Sequence, residues 1–193
     1  MSQVNDENHS GYVVSVLPFG TTEEEFAEFA KAREYIEVRR TPEDRTALTL
    51  LTVTYFCVEP GTHVQYVYNF KIHIATARAH GPGRWAVAKA LGQYFYVVDE
   101  KEIRTRLASD DPGDRGLSLA YLAEFAPSVC EPRLLDIFAR GAVDADADVR
   151  EFSFLAMGIV GWSQFRSIAE SALVAEKVSA LRAQLQRLIA NLP

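Results

Sequence analysis

The sequence predicts an all-α fold: a short right-handed α-solenoid of about four to five helix pairs, preceded by an extended N-terminal arm. Three observations carry this expectation. Helix-start signals stand at matched offsets before Arg45, Arg84, Arg115 and Arg150. Those arginines are 39, 31 and 35 residues apart, within the range where periodicity marks a repeat array. The chain then closes on Val178, Leu181, Leu185, Leu188 and Leu192, whose 3–4 spacing defines an amphipathic helix with Arg182, Gln184, Gln186 and Arg187 outside.

In chain order, residues 1–20 are expected to form the arm. Residues 1–10 are polar enough to be disordered, and Tyr12–Gly20 is β-prone, ending at Pro18 and Gly20. Residues 21–193 are expected to form one helical repeat domain. Thr21 and Thr22 offer hydroxyl caps, and Glu23, Glu24 and Glu25 suit the positive end of a helix dipole. Phe26, Phe29, Ala30 and Ile36 continue as one apolar stripe. Thr41-Pro42, His80-Gly81-Pro82, Asp111-Pro112 and Asp146-Ala147-Asp148 each read as a helix start. Second helices are expected near 99–107, 131–138 and 163–169.

Residues 50–74 conflict with this scheme. The segment is rich in Val, Thr, Tyr and Phe, and Val58-Glu59-Pro60-Gly61-Thr62 fits a hairpin turn. The repeat register favours helices there, and the runner-up architecture is an α-solenoid carrying a β-hairpin at 50–74.

The template around Arg150 is Asp148-Val149-Arg150, then Ser153, Ala156, Met157 and Gly158. Arg115 is followed by Ser118, Tyr121, Leu122 and Ala123. Arg84 is followed by Val87, Ala90, Leu91 and Gly92, and Arg45 by Leu48 and Leu51 in a weaker copy. This pattern resembles the HEAT-like repeat over roughly residues 41–192. The resemblance implies structural arginines on the first helix of each pair and a concave binding surface built from the second helices. Physically, small residues three apart let helices approach closely, and an arginine spans the gap to an acid or a carbonyl of the next repeat.

Composition excludes several classes of function. A net charge of −6 with no basic run longer than Arg39-Arg40 argues against a nucleic-acid partner. No apolar stretch is long enough to span a membrane, and the polar start lacks a secretory signal. Cys57 and Cys130 form no disulfide framework, which fits a reducing, cytoplasmic setting. His9, His63, His73, His80 and the two cysteines show no metal-binding spacing, so neither metal nor cofactor is expected. No nucleophile elbow or phosphate-cradling loop occurs, so no catalytic residue is assigned.

The expected function is therefore non-catalytic binding of another protein, as an adaptor, regulator or immunity-type inhibitor. Candidate surface residues are Tyr66, Phe70, His73, Arg104, Arg133, Trp162 and Arg166, because aromatic and arginine side chains anchor such interfaces. The alternative, implied by the resemblance, is a HEAT-like nucleic-acid binder or DNA glycosylase-like enzyme using Trp162 and Tyr94. Oligomeric state is not fixed by the sequence.

Overall fold

A computed structural model describes residues 11–47 and 49–193, which fall into two compact units, 1–98 and 99–193. Of the arm expected at 1–20, residues 1–10 lie outside the described residues, as does Leu48 of the Arg45 copy, while Tyr12–Val16 is a strand of the sheet. The first unit overturns the all-α solenoid, because its centre is a five-stranded antiparallel sheet.

That sheet comprises β1 (Tyr12–Val16), β2 (Ile36–Thr41), β3 (Leu51–Cys57), β4 (Thr62–Asn69) and β5 (Ile74–His80), in the order β1-β5-β4-β3-β2. Helix α1 (Glu23–Ala32) carries the chain from β1 to the opposite edge, and the meander then returns so that β5 pairs with β1. Thr22 caps α1 reciprocally with Glu25, as the hydroxyl-then-acid order requires. The helix ends where Glu34 turns to φ 57°, so Ile36 leaves the predicted stripe and enters β2, more than half exposed. Segment 50–74 becomes β3 and β4, joined through Glu59-Pro60-Gly61 with Gly61 at positive φ. Strand propensity therefore prevails over the repeat register. The hairpin belongs to a full sheet rather than being inserted in a solenoid.

Alternation sorts the strands. Val53, Tyr55, Val64, Tyr66, Ala75, Ala77 and Ala79 face α1 and α2 (Arg84–Tyr94), where Phe26, Phe29, Val87 and Leu91 complete a buried core. Small alanines on β5 give the helices room to sit close. Arg84 opens α2 and donates from Nη1 to the Gly81 carbonyl at 3.4 Å. Arg45 lies in the β2–β3 connection. Neither occupies a helix-pair repeat.

The second unit is helical: α3 (Glu100–Leu107), α4 (Pro112–Phe125), α5 (Pro132–Gly141), α6 (Ala147–Val160), α7 (Phe165–Ala175) and α8 (Ser179–Asn191). Pairs α3/α4, α5/α6 and α7/α8 each end on a helix with arginine at its fourth position: Arg115, Arg150 and Arg182. Arg115 donates from Nη1 to the carbonyls of Ser109 and Asp110, and Arg150 to those of Asp144 and Ala145. Arg182 donates to the carbonyls of Glu176 and Leu173. Six residues before each arginine, Ser109, Asp144 and Glu176 each accept the N–H two residues ahead. Asp144 and Glu176 also receive the guanidinium of the preceding copy, Arg115 and Arg150 respectively. One local geometry therefore serves as both helix cap and link between pairs.

Candidate functional site

The helical unit carries a crevice of about 370 Å³. Leu107 and Arg104 reach it from α3, Arg115 and Leu119 from α4, Ile137 and Arg140 from α5, and Asp144 and Val149 from the turn and start of α6. Leu107, Leu119, Ile137 and Val149 supply apolar walls. Three arginines against one aspartate make the lining net positive, in a chain whose net charge is −6. Arg115 and Asp144 are committed to each other through paired bonds of 2.9 and 3.1 Å, which hold the Asp144 carboxyl below the usual carboxylate range. Arg104 and Arg140, both exposed, are the other two cationic side chains of the lining.

Gly141 lines the crevice where α5 meets α4 and α6. A Cβ there would stand 2.7 Å from Leu119 Cδ1 and 3.1 Å from Ser153 Cβ, so glycine lets the end of α5 lie this close without displacing the Leu119 side chain.

A second hollow, about 360 Å³, lies in the sheet unit and is lined by Arg33, Tyr35, Cys57, Glu59, Pro60 and the Ala86–Ala90 stretch of α2. Cys57 donates its thiol hydrogen to the Glu59 carbonyl at 2.8 Å, and burial pushes its pKa up. A thiol held in its neutral form is a poor nucleophile. The hollow therefore offers shape but no activated group.

Across the sheet face away from α1 and α2, register places Tyr12, His80, His63, Phe56 and Ile36 in one row, one residue from each strand. Tyr12 packs on His80 with ring centroids 4.8 Å apart, and Phe56 packs on His63 at 4.9 Å. The row exists only through strand pairing, which a helical reading of 50–74 does not provide.

The sequence-derived candidates divide sharply. Tyr66 is 1% exposed, and its hydroxyl donates to the Thr21 carbonyl at 3.1 Å, so it belongs to the core rather than to a partner surface. Trp162 is 4% exposed, stacked on Phe165, with its indole N–H donating to the Pro127 carbonyl at 2.9 Å. Both are corrections: each ring's polar handle is satisfied inside the protein. Phe70, part-buried, and His73, exposed, both lie in the turn between β4 and β5. Arg45 lies over the Phe70 ring at 5.5 Å, and Tyr68 Oη meets His73 Nδ1 at 2.8 Å. In the helical unit, Arg166 is half-buried and donates to the Leu192 carbonyl at 2.6 Å, holding the chain end, whereas Arg133 on α5 is exposed. Of the seven, only Arg104 lines the crevice. Arg140 was missed, although it lies seven residues after Arg133 on the same helix.

Among the described residues no group of three or more His, Cys, Asp or Glu side chains is placed to hold a metal, and no helix is long and apolar enough to cross a membrane. No protein-family profile, curated protein or solved structure matches the chain.

Proposed function

We propose that the protein is a non-catalytic protein-binding module whose helical unit takes an acidic stretch of a partner into the crevice between Arg104 and Arg140. The observation that carries this reading is the contrast in charge: a net positive, apolar-walled crevice on a molecule that is otherwise acidic. Such an arrangement focuses potential and draws a carboxylate-bearing segment toward it, while the apolar walls accept one anchoring side chain. The overall acidity disfavours long polyanions, which favours a short acidic peptide over a nucleic-acid backbone. In the same reading, residues 99–193 are a short array of HEAT-like helix pairs, supported by the arginine geometry shared by Arg115, Arg150 and Arg182. A reducing, cytoplasmic setting is supported by Cys57 and Cys130, both free thiols.

The test is selection from a random peptide display library on the purified chain, beside an Arg104→Glu/Arg140→Glu variant. The expected result is enrichment of acidic peptides carrying one large apolar residue, weakened by salt and lost in the variant. Enrichment indifferent to the charge reversal would overturn the reading. Salt-sensitive binding of DNA oligonucleotides abolished by the same reversal would replace it with the nucleic-acid alternative.

A further inference from the structure

We propose that His63 and His80 form a two-imidazole site for a divalent transition-metal ion of the zinc, nickel or copper class, on the sheet face opposite α1 and α2. The two histidines are direct partners across the β4–β5 ladder, and both are exposed. Directly opposed residues in an antiparallel pair have Cβ atoms about 4.5–5.5 Å apart, a span over which two imidazoles reach one ion. The strands are central in the sheet, so this spacing is fixed by hydrogen-bonded neighbours on both sides.

Each ring is also positioned. His80 Nδ1 lies 3.1 Å from the Gly11 carbonyl oxygen. A carbonyl only accepts, so neutral His80 carries its proton on Nδ1 and leaves the Nε2 lone pair available. This is the outer-sphere arrangement that orients metal-binding histidines. Gly11 sits at φ 79°, and a Cβ there would come within 3.2 Å of the His80 ring, so the residue type is tied to the histidine it orients. Tyr12 backs His80 and Phe56 backs His63, limiting the swing of both rings along the row.

Imidazole donors select zinc, nickel and copper over magnesium and calcium, which prefer oxygen. With two protein ligands, the remaining coordination positions belong to water or to a donor brought by another molecule. The site lies in the sheet unit and does not depend on the peptide-binding proposal.

Titration of the untagged full chain with Ni²⁺, followed by calorimetry and by NMR of the histidine C–H signals, tests the assignment. The expected result is one site per chain, with paramagnetic broadening concentrated on His63 and His80. His63→Gln and His80→Gln should each weaken binding by at least about tenfold, and Gly11→Ala by a similar factor through the lost orientation of His80. His73→Gln and His9→Gln should leave affinity within about twofold; these controls probe the other histidines of the chain. Absence of binding, broadening centred on His73 or His9, or full affinity in either His63→Gln or His80→Gln would overturn the proposal.

Discussion

Arg150 and Glu176 meet in a two-point pair, Nε to Oε2 at 2.7 Å and Nη2 to Oε1 at 3.1 Å, with the Glu176 side chain 2% exposed. The same carboxylate accepts the backbone N–H groups of Lys177 and Val178 at the start of α8. Arg150 is the main cause that holds the Glu176 pKa down at about 2, with burial opposing it. Because the folded-state pKa lies below the unfolded one, the stabilisation is complete above the ordinary carboxylate range. It is lost as pH falls through about 4.5 toward 2. Glu176→Ala should cost about 1–3 kcal/mol at neutral pH, because it leaves Nε and Nη2 of a part-buried guanidinium without their acceptors, while Nη1 keeps the Asp144 and Ala145 carbonyls. Glu176→Gln, which keeps an acceptor, should cost less and flatten the acid limb. Urea midpoints at neutral pH and across the acid range, compared with wild type, check both.

The arginines that share the repeat geometry should behave unlike those that do not. Arg182→Ala removes donors to the Leu173 and Glu176 carbonyls and should cost about 1–2 kcal/mol. Arg45→Ala removes an exposed pair with Glu43 and a cation over Phe70, and should stay within about 0.5 kcal/mol. Chemical denaturation of the two variants side by side decides it. Equal losses would contradict the assignment of Arg182 to the repeat.

Two glycines, one at the N-cap of α2 and one within the helix, should respond with opposite sign. A Cβ at Gly83 would lie 1.6 Å from Pro60 Cγ, so Gly83→Ala should cost at or beyond the upper end of the roughly 1–3 kcal/mol typical of overpacking. Gly92 is exposed within the helix with nothing within 4 Å of such a Cβ, and Gly92→Ala should gain about 0.4–1 kcal/mol by restricting the unfolded chain. Thermal midpoints of the pair suffice.

Thiol reactivity should separate the cysteines. Cys57 is 7% exposed with its pKa raised by burial, whereas Cys130 is partly exposed. Timed alkylation of the native chain with peptide mapping should label Cys130 first, with Cys57 slower by at least about tenfold. Denaturant should largely remove the difference.

Most helix starts were legible because capping chemistry is local; Thr41-Pro42 was misread, since Thr41 ends β2 and no helix follows. Asp111-Pro112 and Asp146 open α4 and α6, and Thr22 opens α1. The sheet was misread because the arginine register was extended across Arg45 and Arg84, whose resemblance to the template is a spacing without the acid or hydroxyl six residues ahead. The carbonyl of that residue receives the guanidinium, and its side chain caps the turn by accepting the N–H two residues on. Demanding it would have removed Arg45, which has Arg39 there, and Arg84, which has Arg78. It would also have admitted Arg182, which has Glu176. The crevice was half legible: Arg104 was singled out from its helix. Arg140 becomes recognisable only once Gly141 brings α5 against Leu119 and Ser153. The histidine row was invisible to helical periodicity, since partners on β4 and β5 meet only through long-range pairing.

The pairing of the first strand with the last gives the two units different folding demands. Tyr12 must find His80, about 68 positions later, before the sheet gains its final neighbour, whereas Arg115 reaches Asp144 within about 29. During synthesis, no part of the β1–β5 ladder can close until Thr76, the partner of Val16, has left the ribosome. Each helix pair downstream, by contrast, can begin to consolidate as soon as it emerges. Loop-closure entropy thus makes the sheet the slower half to assemble, and the half whose partly built intermediates are longest exposed to aggregation.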